Sequence, residues 1–300
     1  MFKFFYYKNN EINKIIMKDD LEFNPNLLEN DDFSDIKPIK PLTFQFKIVI
    51  IISISLLLIS IITVVILILI KNNDSKQESS IDIIPPYIIE PTSDYTHCII
   101  WLHGLGSVPE KFLNLFNNEL HFIKKENTKI ILMRAPYQIM TFSKENKTSW
   151  FDILSFPINS YYSYNFTDAI KSRKMVEKII NEEAQKLNGK YQNIFLGGHS
   201  QGACITLYTA YNFKELLGGV LFCNGILFKE VEIIGDKNKL KVFLAHGEED
   251  NDIPVAFQRE TVKRIENFEG VKKYYYEGQA HNINQFEKID MGGFLNETMI

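Results

Sequence analysis

A serine flanked by glycines is the residue in this chain best placed for nucleophilic chemistry. Residues 198–202 read Gly-His-Ser-Gln-Gly, which fits the pattern G-x-S-x-G with Ser200 at its centre. In this pattern a strand turns so sharply into a helix that side chains two positions before and after the serine would collide. An apolar run at 194–196 precedes the motif and a helical pattern follows it, as the motif requires. The sequence therefore predicts Ser200 as a nucleophile at a helix N-terminus, where backbone amides favour negative charge.

A serine hydroxyl is a weak nucleophile at neutral pH, so Ser200 needs a general base and the base needs an orienting carboxylate. Two histidines follow it in the chain, His246 and His281. Where this motif is used, the chain order is serine, then acid, then histidine. Only His281 has acidic residues between itself and the serine at the end of a predicted strand, so it is the predicted base, and His246 is interpreted as supporting a loop. The carboxylate candidates are Glu248, Glu249, Asp250 and Asp252.

Two backbone amides are predicted to stabilise the negative charge that develops on the carbonyl oxygen of a substrate, because acyl transfer depends on such donors. One is the amide of Gln201, the residue after the nucleophile. The other belongs to a loop after an early apolar run, where residues 99–106 read IIWLHGLG. The amide of Leu105 is the candidate in that loop.

Short apolar runs alternate with helical stretches from about residue 95 onwards. The predicted strands are 98–102, 130–133, 194–196, 219–223, 242–245 and 272–276. The predicted helices lie near 110–125, 167–188, 201–212 and 256–267. Strands that are apolar throughout are typical of a parallel sheet covered on both faces. The alternation therefore predicts a mostly parallel, doubly wound α/β sheet.

A long uncharged run, residues 48–70, precedes these elements. At about 1.5 Å per residue it is long enough to cross a hydrocarbon core of about 30 Å. We therefore expect a single transmembrane helix before the α/β domain. The expected organisation is a disordered tail at 1–45, the transmembrane helix at 46–70, a linker at 71–93 and a catalytic domain at 94–300.

Lysines near the uncharged run favour one orientation. Lys37, Lys40 and Lys47 precede the run, whereas Lys71 and Lys76 follow it. Positive charge concentrates on the cytosolic side of membrane proteins. We therefore expect a single-pass membrane protein with a cytosolic N-terminus and a lumenal or extracellular catalytic domain.

Composition argues against several other functions. The formal net charge of −4 over 300 residues gives no basic surface for nucleic acid. The histidines and cysteines lack the spacings typical of zinc sites, so we expect no metal and no cofactor. Cys98, Cys204 and Cys223 are expected to be buried free thiols, because their number is odd and two of them lie in predicted strands.

Several blocks together resemble the acyl-protein thioesterase and carboxylesterase family, also described as lysophospholipase-like. The resemblance covers roughly residues 95 to 285, and the blocks occur in the family's order. They are IIWLHGLG at 99–106, ILMRAP at 131–136, SWFDI at 149–153, IFLGGHSQGA at 194–203, and LAHGEED at 244–250 with YEGQAH at 276–281. The resemblance implies an α/β-hydrolase fold.

The resemblance also implies site residues. Ile253 and Pro254 stand where the family has Val-Pro after its catalytic aspartate, which favours Asp250 over Asp252. The implied catalytic residues are Ser200, Asp250 and His281, with the amides of Leu105 and Gln201 as oxyanion donors. Residues 137–165 resemble the loop over the acyl-binding groove, and Trp150 and Phe151 beneath it are the implied substrate-binding residues.

Three positions depart from the family pattern. Ser107 stands where the family usually has Asp, and Asn251 where it has Pro. His199, directly before the nucleophile, stands where the family usually has Phe, and this change is expected to alter the pocket beside Ser200.

Three functions are compatible with these observations. The first is a serine thioesterase that removes fatty acyl groups such as palmitate from proteins, which requires the catalytic domain on the cytosolic side. The second is a lysophospholipase or general carboxylesterase on the lumenal face. The third is an inactive hydrolase fold kept as a membrane-anchored binding module. The expected partners are an acylated protein or lipid ester and, through residues 48–70, a membrane.

Overall fold

The computed structural model describes the backbone of residues 4–9, 12–17, 44–77, 85–120 and 123–299. It describes the side chains of residues 52–68, 85–120 and 123–299. The chain divides into two units, Met1–Ser80 and Ile81–Ile300.

In the first unit, the described residues form two strands and a long helix. β1 (Phe4–Asn9) and β2 (Ile12–Met17) pair antiparallel, and α1 spans Phe44–Gln77. The strands fall within the range predicted as a disordered tail. Residues 18–43, and residues 78–84 of the predicted linker, lie outside the described residues. The boundaries predicted for tail, linker and catalytic domain therefore stay predictions.

The uncharged run lies within α1. Its side chains are described over residues 52–68. Among the described residues, none of the helices has both the length and the apolar character needed to cross a membrane. That finding contradicts the predicted transmembrane helix at 46–70, the single-pass localisation with a cytosolic N-terminus, and membrane contact through 48–70. These predictions are corrected accordingly.

A mixed sheet of seven strands forms the centre of the second unit. Its strands are β3 (Tyr87–Ile89), β4 (His97–Leu102), β5 (Thr128–Met133), β8 (Ile194–His199), β9 (Gly219–Cys223), β10 (Val242–Gly247) and β11 (Val271–Tyr276). Their order across the sheet is β11-β10-β9-β8-β4-β5-β3, and only β3 at the edge runs antiparallel to its neighbour. A separate hairpin pairs β6 (Tyr137–Ile139) with β7 (Asn146–Thr148).

The helices of this unit pack on both faces of the sheet. They are α2 (Phe166–Lys186), α3 (Gln201–Asn212), α4 (Val255–Val262) and α5 (Gln285–Thr298). In β4, Ile100 and Leu102 belong to a hydrophobic cluster with residues of α2 and α3, whereas Ile99 and Trp101 belong to a second cluster with residues of α5. Alternate side chains of a strand point to opposite faces, so a strand covered on both sides is apolar throughout. The predicted α/β sheet is confirmed.

All six predicted strands are present, and none of their bounds differs from the predicted one by more than three residues. The predicted helix near 110–125 is not continuous. A 3-10 turn at Pro109–Phe112 and a π turn at Leu115–Glu119 occupy this range instead. Pro109 can begin a helical turn but cannot continue one, and the segment packs by its buried residues Leu115 and Phe116.

The order of the strands in the sheet determines where a ligand-binding crevice forms. β4 and β8 are neighbours, yet the chain runs from β4 to β5 on one side before it returns to β8 on the other. The loops after the carboxyl ends of two such strands diverge and frame a crevice in which α/β proteins bind ligands. Residues 103–106 follow β4, and Ser200 follows β8.

Candidate active site

The turn from β8 into α3 holds Ser200 in a strained conformation. Its φ of 58° and ψ of −123° lie in a region that residues with a side chain rarely adopt. A Cβ atom on Gly202 would lie 2.1 Å from the carbonyl oxygen of Leu102, and one on Gly198 would lie 2.5 Å from the carbonyl carbon of Gly202. Glycine is therefore required at both positions because the backbone segments meet there.

Ser200 is hydrogen-bonded to His281, and His281 to Asp250. Ser200 Oγ lies 2.7 Å from His281 Nε2, and His281 Nδ1 lies 2.6 Å from Asp250 Oδ2. An ionised carboxylate can only accept, so Nδ1 carries the proton and Nε2 accepts from the serine hydroxyl. Asp250 lies 50 positions and His281 81 positions after Ser200 in the sequence. The structure brings the three side chains together in the arrangement that general-base activation of a serine requires.

The surroundings of Asp250 distinguish it from the other three acidic candidates. Burial would raise its pKa, but the bonds from His281 and from the amide of Ile253 outweigh burial and lower it. Its Oδ1 accepts from the amides of Asp252 and Ile253 at 2.9 and 2.8 Å. By contrast, Glu248 pairs with the exposed Arg259 at 2.6 Å. Asp250 is therefore the carboxylate that faces the imidazole.

His246 supports the loop that carries Asp250. Its ring is fully buried, and its Nε2 lies 2.8 Å from the carbonyl oxygen of Ile253 and 3.3 Å from Asp250 Oδ2. Burial lowers the pKa of His246 to about 4, so the ring is neutral at pH 7. A neutral ring that donates from Nε2 fixes the loop without adding charge beside the carboxylate.

The loop after β4 lies against the nucleophile. A Cβ atom on Gly104 would lie 3.1 Å from Ser200 Cβ, which places the peptide between Gly104 and Leu105 next to the serine. The Ala135 amide donates to His103 Nε2 at 3.2 Å, so His103 Nδ1 carries the proton and donates to the Gly104 carbonyl at 2.7 Å.

This bond sets the direction of the Leu105 amide. In a trans peptide the carbonyl and the following N–H point in opposite directions. Because the Gly104 carbonyl is held towards the His103 ring, the Leu105 N–H points away from that ring. Burial lowers the pKa of His103 to about 4, so the ring keeps this arrangement at neutral pH.

Comparison with known proteins gives the family of this chain. The model of the phospholipase/carboxylesterase family matches residues 85–299. The chain belongs to this family. It is similar to acyl-protein thioesterase 1 of Emericella nidulans, with 27% identity over 71% of this chain and 95% of the relative. It is also similar to acyl-protein thioesterase 1 of Saccharomyces cerevisiae, with 26% identity over 67% of this chain and 92% of the relative.

A solved structure shows the same fold. The crystal structure of Zea mays acyl-protein thioesterase 2 superposes with a TM-score of 0.61 and 19% identity, over 72% of this chain and 99% of the maize protein. The predicted likeness to acyl-protein thioesterases and carboxylesterases is confirmed. This member of the phospholipase/carboxylesterase family is a serine hydrolase of the esterase and thioesterase type.

The side chain of Gln201 has a structural role that the sequence did not reveal. It is buried, and its Oε1 accepts from Ser149 Oγ at 3.0 Å and from the amide of Trp150 at 3.1 Å. Its Nε2 donates to the carbonyl oxygen of Phe151 at 2.7 Å. Gln201 therefore fixes residues 149–151 to the start of α3, in addition to carrying the amide predicted as an oxyanion donor.

Trp150 and Phe151, the predicted substrate-binding residues, lie inside the core. Trp150 Nε1 donates to the His103 carbonyl at 2.7 Å, which ties the indole to the loop after β4. Phe151 packs edge-on against Phe228 with ring centroids 5.1 Å apart. Both side chains are almost fully buried, so they support the site from beneath, and their contact with substrate stays a prediction.

His199, one of the departures from the family pattern, is a neutral ring beside His281. Its ring centroid lies 5.0 Å from that of His281, and its Nε2 is buried without a hydrogen-bond partner among the described residues. Burial, and then the nearby His281, lower its pKa to about 3.

The three cysteines predicted as buried free thiols are buried and free.

Proposed function

We propose that this hydrolase cleaves acyl thioesters, as an acyl-protein thioesterase, with Ser200, His281 and Asp250 as its catalytic residues. The observation that carries the proposal is the continuous hydrogen-bonded path from Ser200 Oγ through His281 to Asp250. Such a path activates a serine hydroxyl at neutral pH.

The first half of the reaction forms an acyl-enzyme. Ser200 Oγ attacks the acyl carbonyl carbon while its proton passes to His281 Nε2. Asp250 stabilises the resulting imidazolium through the bond at Nδ1. The tetrahedral intermediate then collapses, the carbon–sulfur bond breaks, and the imidazolium protonates the departing thiolate.

The second half releases the acid. A water molecule attacks the acyl-enzyme carbonyl while His281 Nε2 takes one of its protons. Collapse of the second tetrahedral intermediate returns the proton to Ser200 Oγ and releases the carboxylic acid. In both halves the amides of Leu105 and Gln201 donate to the carbonyl oxygen, and the loss of one such donor typically costs about 10² to 10³ in rate.

The choice of thioesters rests on the relatives from fungi, which are named acyl-protein thioesterase 1. A fatty acyl group on a protein cysteine, such as palmitate, is therefore the proposed substrate. A second candidate is a carboxylic ester such as a lysophospholipid, because the matched family also includes phospholipases and carboxylesterases. The two candidates share the acyl-enzyme and differ in the leaving group.

Matched substrates distinguish them. We expect the purified chain to hydrolyse an S-palmitoyl-cysteine peptide with a kcat/KM at least about tenfold above that for the O-palmitoyl-serine peptide of the same sequence, and above that for a palmitoyl lysophospholipid. Ser200→Ala is the control and should abolish all three activities. A clear preference for the lysophospholipid would overturn the thioesterase proposal in favour of the second candidate.

A further inference from the structure

The loop that carries His281, residues 279–284, is held by side chains that lie outside the catalytic path. The carbonyl oxygen of Asn282, the residue after the base, accepts from two side-chain amides. Asn224 Nδ2 donates to it at 3.0 Å and Gln279 Nε2 at 2.6 Å. A peptide held from two sides cannot rotate, so these bonds fix the backbone next to the imidazole.

Asn224 connects this loop to the end of the strand that precedes Asp250. Its Oδ1 accepts from the amide of Gly247, the last residue of β10, at 2.9 Å. It is fully buried and has a φ of 55°, a conformation in which asparagine is one of the few favoured residues. One side chain thus sets the distance between the loop of the acid and the loop of the base.

Gln279 is held in turn by a buried carboxyl group. Its Nε2 also donates to Glu287 Oε2 at 2.6 Å, and Glu287 is completely buried in the first turn of α5. The Glu287 amide donates to Asn284 Oδ1 at 2.8 Å, which caps the helix. The position of α5 is therefore transmitted to the loop of His281 through one carboxyl group and one amide.

We propose that Glu287, through Gln279, is a positioning residue that holds the His281 imidazole in line with Ser200. This proposal rests on the proposed role of His281 as the base. It assigns a role to a buried acidic residue that takes no part in the proton transfers. A displacement of about 1 Å in a catalytic group costs about a hundredfold in rate, so such a support has a measurable effect.

The ionisation of Glu287 provides a second signature. Burial raises its pKa to about 7, and the groups that face it are Cys223 of β9, Asp290 of α5, His281, and Tyr276 of β11. The bond from Gln279 and the charge of His281 oppose the rise, whereas Asp290 adds to it.

Variants at Glu287 separate positioning from stability. We expect Glu287→Leu to lower the rate at which a fluorophosphonate labels Ser200 by about 10- to 100-fold, because Gln279 loses the carboxyl group that fixes its amide against the Asn282 carbonyl. Glu287→Gln should label within about threefold of the wild type, because its amide oxygen still accepts from Gln279. The dependence of its labelling rate on pH should lack the ionisation near pH 7 that Glu287 contributes in the wild type.

A control and a second variant keep the test decisive. Glu297→Gln, at an exposed ion pair on the same helix, should label at the wild-type rate. If Glu287→Leu does not fold, Gln279→Met removes the amide and should slow labelling similarly with an unchanged KM for ester substrates. Wild-type rates and pH profiles in folded Glu287 and Gln279 variants would overturn the positioning role alone. A wild-type protein that is not labelled would overturn the proposed function itself.

Discussion

At the scale of single residues, four acidic side chains follow β10 and only one of them faces the base. Asp250 accepts from two loop amides at Oδ1 and from His281 at Oδ2, whereas Glu248 pairs with the exposed Arg259. The local sequence does not distinguish these acids, because all four lie in the same loop. The packing of His246 and Ile253 around Asp250 does.

Replacing this carboxylate should separate its role from those of its neighbours. We expect Asp250→Asn to lower kcat by about 10⁴ with little change in KM, because an amide nitrogen facing His281 Nδ1 favours the tautomer that cannot accept the serine proton. Steady-state hydrolysis of a short acyl ester measures the effect. The matched control Asp252→Asn should remain within about threefold of the wild type. Equal losses in the two variants would contradict the assignment.

At the scale of elements, the site depends on a close contact between the start of α3 and the end of β4. A Cβ atom at position 202 would meet the backbone carbonyl of Leu102, which cannot move without shifting the loop that carries Leu105. The turn from β8 into α3 and the loop after β4 therefore pack as one unit, although 95 positions separate Leu105 from Ser200 in the sequence.

This contact predicts a sharp contrast between two glycine substitutions. Gly202→Ala should lower the free energy of unfolding by about 3 kcal/mol or more, because the methyl group overlaps backbone atoms. It should also abolish fluorophosphonate labelling. Gly293→Ala in α5, where a Cβ atom meets nothing within 4 Å, should raise the free energy of unfolding by about 1 kcal/mol. Urea denaturation measures both values, and a tolerated Gly202→Ala would contradict the described packing.

Elements with a strong local pattern were predictable, and those stabilised by distant contacts were not. The central strands and α3 are apolar along their length, so their sequence identifies them. The helix α5 was missed because its apolar residues are few and are separated by glycines and charges; burial against β10 stabilises it. The edge strand β3 has only three residues, and its pairing with β5 leaves no local signal.

The same reasoning applies to the site. The motif and the chain order pointed to Ser200 and His281 but left four acids, among which the family resemblance favoured Asp250; the catalytic roles of the three side chains stay predictions. Asn224, Gln279 and Glu287 were not predicted, because they act through side-chain hydrogen bonds that no short sequence motif marks. The error over residues 46–70 arose because length and hydropathy of a run were taken as sufficient evidence for a membrane span.

At the scale of the whole molecule, three buried histidines make stability depend on pH. Burial lowers the pKa of His103 and His246 to about 4 and that of His199 to about 3. The unfolded chain binds protons at these residues near pH 6.5, whereas the folded chain does not. The contribution of these three neutral rings to the free energy of unfolding is therefore fully present above about pH 6.5 and is lost as the pH falls towards 3 to 4. Glu287, with its raised pKa, acts in the opposite direction between about pH 4.5 and 7.

Replacing one of these rings should reduce the sensitivity to acid. We expect His199→Phe to shift the midpoint of acid unfolding to lower pH, because it removes a buried imidazole whose Nε2 has no partner. Circular dichroism across a pH series measures the shift. Glu287→Gln is a control whose effect depends on pH in the opposite direction: it should increase the free energy of unfolding chiefly above pH 7. An unchanged acid midpoint in His199→Phe would show that this ring does not limit stability.

The central claim is that His281 activates the hydroxyl of Ser200. Intact-protein and peptide mass spectrometry after brief exposure to a fluorophosphonate tests it most directly. The account predicts a single adduct on the peptide that contains Ser200, absent in Ser200→Ala and formed at least about 10³-fold more slowly in His281→Gln. An unmodified wild-type protein, an adduct on another residue, or undiminished labelling of His281→Gln would contradict it.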